Sequence, residues 1–256
     1  MKTPIILIHG TWGAANSWNS LKDDLSTLNL EVITPSLRYH DLPFDEAMKK
    51  VGDVSITDYV DDIIDVVQSL DQPPILLGHS LGCLIAQLVA ERITVKGMIL
   101  LGPAPTADIF QLYPTMIKSF ARHFMQWGFW YKPMPPYKNT QYNLAMQQQS
   151  QALKDKVYRN SVPESGLVYT QMAFPELDPK QSTKVDFTKI TGPILIITGS
   201  EDKMTVPKIA KDTARNYGQQ ARLIMIGDAD HYYIDGKFKD QVVFHIDKWL
   251  QHHQIY

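Results

Sequence analysis

Short, continuous apolar runs alternate with longer amphipathic ones along this chain. Residues 4–8, 31–34, 75–77, 95–101, 193–198 and 222–226 are apolar, rich in β-branched side chains and bounded by turn formers, so they read as six strands. Hydrophobic positions at helical spacing lie between them. Residues 21–28 form one such segment. Residues 56–70 form another, with Tyr59, Ile63, Val66, Val67 and Leu70 on one side. Further helices are expected at 83–90 and at about 240–251. Strands that are apolar throughout are covered on both faces, and their alternation with helices predicts an α/β fold with a doubly wound, mostly parallel sheet.

The third strand runs into Gly78-His79-Ser80-Leu81-Gly82, and a helical run follows at once. Strand, sharp turn, helix is the setting in which Gly-x-Ser-x-Gly exposes a serine on a strained backbone, the nucleophile elbow. A serine hydroxyl is a poor nucleophile at neutral pH. It needs a base to take its proton and a third group to orient that base. On such a sheet the order is Ser, acid, His, each just beyond a strand. Asp202 follows the fifth strand in Ser200-Glu201-Asp202-Lys203 and is assigned as the acid, with Glu201 its nearest rival. His231 follows the sixth strand and is assigned as the base. Of the other histidines, His9 is expected to be structural and His79 to point away from the nucleophile. His252 and His253 lie in a polar tail, and His40, His123 and His245 show no partner pattern.

A developing oxyanion needs two aimed donors. One is expected to be the backbone N–H of Leu81, at the start of the helix after the elbow, where the helix dipole helps. The other is expected from His9-Gly10-Thr11-Trp12-Gly13 after the first strand, where the N–H of Thr11 is assigned and Trp12 is the runner-up.

With His9-Gly10, the Gly78-x-Ser80-x-Gly82 elbow, Asp202 and His231 in order and each at a strand end, the chain resembles the α/β-hydrolase family over essentially its whole length. The resemblance implies a helical cap inserted after the strand that follows the elbow helix. Residues 104–183 fit that place, leaving 1–103 and 184–256 as the core. This stretch is rich in Met, Gln and aromatic residues, including Phe110, Tyr113, Met116, Phe120, Phe124, Met125, Trp127, Phe129, Trp130 and Tyr131. Helices are expected at 109–129, 144–158 and 164–174, with a breaker at Lys132-Pro133-Met134-Pro135-Pro136. Most of these side chains are expected to pack the cap on the core, and some to roof an apolar acyl or alkyl space above Ser80.

The resemblance also implies a serine carboxylesterase acting on a small-molecule ester through an acyl-enzyme, with no metal or organic cofactor. Serine at the elbow argues against the aspartate-based chemistry of related dehalogenases and epoxide hydrolases. Two alternatives stand: a carbon–carbon bond hydrolase or lyase on the same triad, and a ligand-binding member of the fold that turns over little.

Composition adds bounds. A chain of 256 residues, 44% hydrophobic, suits one large domain or one domain with an insertion. The formal net charge of −2 gives no electrostatic case for nucleic acid or an anionic membrane. The one cysteine, Cys83, is expected to be a small core residue and leaves no internal disulfide. The apolar run before His9 is too short for a signal peptide, and a cytoplasmic enzyme is expected. Asp58, Asp61, Asp62 and Asp65 share a helical face with no interleaved His or Cys, which reads as a solvated face rather than a metal site.

Overall fold

The computed structural model describes residues 2–110 and 113–255. Its strands are β1 (Thr3–Ile8), β2 (Leu30–Ile33), β3 (Ile75–His79), β4 (Gly97–Leu101), β5 (Ile194–Gly199) and β6 (Ala221–Ile226). They form one six-stranded sheet in the order β2-β1-β3-β4-β5-β6, parallel throughout. The helices before β4 are α1 (Asn19–Ser26), α2 (Phe44–Lys50), α3 (Ile56–Gln68) and α4 (Leu81–Ala90). Between β4 and β5 come α5 (Pro114–Phe124), the single turn α6 (Lys138–Thr140), α7 (Gln151–Asn160) and α8 (Gly166–Ala173). Then follow α9 (Pro207–Tyr217) and α10 (Lys239–His253).

Because strand side chains alternate, the apolar runs split between two cores. Ile6, Ile8, Leu76, Met98, Leu100 and Ile196 pack with α3, α4 and α9 on one face. Ile5, Leu7, Leu77, Ile99, Leu101 and Ile197 pack with α1 and α10 on the other. The chain leaves β1 for β2 on one side and returns to β3 on the other. The loops at the C-terminal ends of β1 and β3 therefore diverge, and a crevice opens between them. Ile8 is in register with Gly78, so the loop after β1 lies beside the elbow.

Helix α3 opens on a capping box: Ser55 Oγ accepts from Asp58 N, and the Asp58 carboxylate accepts from Ser55 N. Its acidic face is partly ion-paired. Arg38 bridges Asp58 at 2.9 Å and Asp62 at 2.6 Å, and Arg92 reaches Asp61 at 3.3 Å.

The segment between β4 and β5 is helical, but its boundaries differ from those expected. Within the 109–129 stretch, Gln111 and Leu112 lie outside the described residues, α5 begins on Pro114, and the left-handed Gly128 (φ +75°) turns the chain before 129. The expected 144–158 helix is two pieces. A π-helical turn over Gln141–Ala145 ends before Gln147–Gln149, which bond outward to the core, and Ser150 then caps α7 by accepting from Leu153 N.

A buried polar cluster fastens this segment to the rest. Glu164 pairs with Met134 in an isolated antiparallel bridge. Its carboxylate accepts from Tyr59 Oη at 2.7 Å and Ser165 N at 2.8 Å, and faces His40 Nε2 at 3.3 Å. Both side chains of the His40–Glu164 pair are fully buried. Burial alone would depress the His40 pKa, but the Glu164 charge and hydrogen bond outweigh it and hold it above the usual value. His40, which shows no partner pattern in the sequence, has a partner in the fold. Its partner lies 124 residues away, where no local pattern could reveal it.

Candidate active site

Ser80 occupies φ +55°, ψ −117°, a backbone state that L-residues seldom adopt. The flanking glycines permit it by close approach. A Cβ on Gly78 would stand 2.3 Å from Gly82 O, and one on Gly82 2.0 Å from Ile8 O. Ser80 N donates to Leu101 O at 2.9 Å, and Ser80 O accepts from Cys83 N and Ala104 N, so the turn is held from both sides. Leu81 begins α4, which places its N–H at a helix N-terminus.

Asp202 and His231 come together from β5 and β6. His231 Nδ1 lies 2.7 Å from Asp202 Oδ2, and both side chains are almost wholly buried. The Asp202 carboxylate is saturated. Oδ1 accepts from Met204 N (2.9 Å) and Thr205 N (2.8 Å), and Thr205 Oγ1 lies 3.1 Å from Oδ2. An ionised carboxylate only accepts, so His231 donates through Nδ1 and Nε2 is left as the basic nitrogen. Ser80 and His231 line one cavity of about 180 Å³. No hydrogen bond joins their side chains among the described residues. Glu201, the rival acid, is exposed, and its carbonyl accepts from Gln147 Nε2 at 2.6 Å.

His79 corrects an expectation. Its ring does not turn away. It lines the cavity, sits 4.8 Å from the His231 ring, and has Nε2 2.9 Å from His231 O. Burial pushes its pKa down to about 3, so it is neutral and donates to that carbonyl. His9 is structural as expected. Leu37 N donates to its Nε2 at 3.0 Å, which leaves the proton on Nδ1, 3.0 Å from Gly10 O. Burial pushes His9 to about 3 as well. The imidazole thus pins the loop that carries Thr11 and Trp12. Thr11 Oγ1 meets Tyr169 Oη at 2.5 Å, and Trp12, at φ +62°, donates through Nε1 to Met134 O. Thr11 and Trp12 both line the cavity.

The cavity wall is mixed. Trp12, Met146, Val157 and Met204 give it apolar surface, while Asn16, Gln141, Asn160 and Lys156 bring polar groups. The segment between β4 and β5 contributes residues from 141 to 161. The aromatic residues 110–131 are not among them.

Three glutamines missed in the sequence reading bind the loops that carry Asp202 and His231. Besides Gln147, Gln148 N donates to Asp230 Oδ2 at 2.8 Å. Gln149 Nε2 donates to Asp230 Oδ1 at 2.9 Å and to Tyr232 O at 2.8 Å, and Gln149 Oε1 accepts from Lys237 N. Asp230 is wholly buried beside His231. Burial raises its pKa, and these donors only partly offset that. The run Gln147-Gln148-Gln149 was the available signal, but its partners are 54 to 88 residues distant.

Comparison with known proteins fits this geometry. Residues 5–241 match the model of the Alpha/beta hydrolase family, and the chain belongs to that family. No curated protein matches it. Among solved structures it is similar to an extracellular α/β-hydrolase from a Paenibacillus species, described as sharing structural and functional homology with tobacco salicylic acid binding protein 2. The TM-score is 0.72 at 20% identity, covering 96% of this chain and 98% of that one. It is also similar to a monoacylglycerol lipase from Paleococcus ferrophilus, with TM-score 0.69, 18% identity, and 99% and 97% of the two chains covered. A third is polyneuridine aldehyde esterase, with TM-score 0.70, 17% identity, and 98% and 100% covered. At these identities the likeness carries the fold alone.

Proposed function

We propose that the chain is a serine hydrolase of carboxylic esters, with residues 104–183 as a cap over its site. Ser80 attacks the ester carbonyl while His231 Nε2 takes its proton. Asp202 holds the imidazole tautomer and stabilises the imidazolium. The N–H groups of Leu81 and Thr11 bind the oxyanion. His231 then protonates the leaving alcohol, and water cleaves the acyl-enzyme by the same steps. These steps call on no cofactor. Trp12, Met146, Val157 and Met204 receive the apolar acyl or alkyl part. A cytoplasmic location belongs to the same reading, in which Cys83 stays a buried thiol.

The observation that carries the reading is the 2.7 Å bond from His231 Nδ1 to Asp202, with His231 opening on the same cavity as the strained Ser80. The Ser80–His231 bond is expected to close when substrate fills the cavity, since such bonds are commonly long in the empty site. The test is a fluorophosphonate probe read by intact mass on wild type and Ser80→Ala. One adduct on wild type alone supports a working nucleophile, base and oxyanion site. No adduct on either, with tight ligand binding unchanged by Ser80→Ala, favours a binding protein instead.

A further inference from the structure

Part of the aromatic stretch that does not reach the cavity points outward. Trp127 is 86% exposed and Met125 79%, and Tyr131 and Ile117 are exposed as well. Trp127 and Tyr131 belong to a connected group of rings. The ring of Trp127 lies 5.6 Å from Trp130, which lies 5.1 Å from Phe129 and 6.2 Å from Tyr131; Phe129 meets Phe124 at 5.2 Å. Helix α5 has two apolar sides. Phe120 and His123 turn inward, and Ile117, Ala121 and Met125 recur at four-residue spacing on the outer side. Such a surface exceeds the single apolar residues normally scattered over a protein exterior.

Its charge is one-sided. From residue 109 to 154 the chain carries Lys118, Arg122, Lys132, Lys138 and Lys154 and not one Asp or Glu, in a protein of net charge −2. The chain-wide charge therefore conceals a basic segment. Lys118, Arg122, Lys132 and Lys138 are exposed, and none of them forms an ion pair among the described residues. Glu176 and Asp178, which follow Phe174, and Asp53, whose neighbour Gly52 packs on the Tyr131 carbonyl, mark the edges of the group.

We propose that this face, α5 with residues 125–132, docks on an anionic lipid surface. Trp and Tyr are amphipathic rings that settle at the headgroup level, and Lys and Arg reach past them to lipid phosphates. An outer apolar stripe bordered along one side by Lys118 and by Arg122, whose guanidinium lies 5.2 Å over the Tyr137 ring, is compatible with a helix that lies in the interface plane. No helix among the described residues is long and apolar enough to cross a membrane, so the contact is peripheral. The inner side of α5 touches the cavity wall. Phe120 lies 6.2 Å from Trp12, and Ser119 Oγ contacts Met204 Sδ at 3.3 Å. A docked α5 thus stands between the lipid and the cavity, placed to admit an ester directly from the membrane.

The docking goes beyond the hydrolase reading and is tested without turnover. The full chain is floated with vesicles of phosphatidylcholine alone and with about one-third phosphatidylglycerol, at low and high salt. Binding is expected on the anionic vesicles, weakened by salt, with tryptophan quenching by brominated lipid. Met125→Ser with Trp127→Ser should weaken partition about tenfold or more, and Lys118→Gln with Lys132→Gln about fivefold per charge. All four side chains are exposed, so both variants should fold. Absence of binding to anionic vesicles overturns the proposal, as does binding that the Met125/Trp127 variant leaves intact. A concentration-dependent dimer that the same variant abolishes would assign the face to a second copy and also overturn it.

Discussion

Replacing Asp202 with asparagine tests how the site would work, because the structure dictates which way the amide must lie. Oδ1 accepts two backbone N–H groups, from Met204 and Thr205, at 2.9 and 2.8 Å. An amide nitrogen cannot face those donors, so the amide oxygen takes the Oδ1 position and the NH2 takes the Oδ2 position. That NH2 then points at His231 Nδ1 from 2.7 Å. Two donors cannot meet, and the imidazole must move its proton to Nε2. A protonated Nε2 cannot accept the proton of Ser80. Loss of the correct tautomer in a triad is worth about 10⁴ in kcat, or about 5.4 kcal/mol of barrier at about 1.36 kcal/mol per factor of ten. The assay is steady-state hydrolysis of a chromogenic ester by wild type, Asp202→Asn and Glu201→Gln. Asp202→Asn should lose about 10⁴ in kcat with KM little changed. Glu201→Gln should stay within about twofold, since that side chain is exposed and only its backbone N–H and carbonyl are engaged. An Asp202→Asn enzyme within tenfold of wild type, or a greater loss in Glu201→Gln, would refute the assignment.

Two further outcomes follow from the buried groups. Gln149→Ala removes a bond to the buried Asp230 carboxylate and two bonds to backbone groups, which together should cost about 3–4 kcal/mol. Urea unfolding should show that loss and amide exchange should quicken across residues 228–237; unchanged exchange there would mean the glutamine does not hold the His231 loop. His9 and His79, pushed to about 3 by burial, must stay neutral in the fold while the unfolded chain binds protons below about 6.5. Stability should therefore fall as pH drops from 7 to 5, by about 2 kcal/mol for each ring. His40, whose pKa is raised, works the other way: its contribution is full below about 6.5 and is lost as pH rises through its folded value. Urea midpoints at the two pH values, repeated on His79→Gln, read the balance; a wild-type midpoint no lower at pH 5 would contradict the burial argument.

Most of the sheet was legible because its signal is local. Each strand is a run of neighbouring apolar residues, and the elbow, Asp202 and His231 each follow directly on one. The alternation of Ile5 and Leu7 against Ile6 and Ile8 into two cores follows from the pleat, once both faces are covered. Helices α2 and α9 were not anticipated. Each begins beside a proline, Pro43 or Pro207, that also reads as a loop residue. The supports of the site were illegible for a different reason. His40 with Glu164 and Gln149 with Asp230 are pairs between distant parts of the chain, and each member alone is an ordinary polar residue.

The same distinction bears on how net charge is read against the proposed lipid contact. A sum over 256 residues weighs every carboxylate equally, yet a planar partner meets only the face turned toward it. Beyond about a Debye length the chain's other charges are screened, so the contact responds to the cations within reach of it. Residues 109–154 supply five cations and no carboxylate, with Asp155 beside Lys138 and Glu176, Asp178 and Asp53 at the margins. The pattern that assigns strands and helices reports what turns inward, because burial selects it. Trp127, largely exposed and packed only on Trp130, satisfies no core, so burial does not account for its placement.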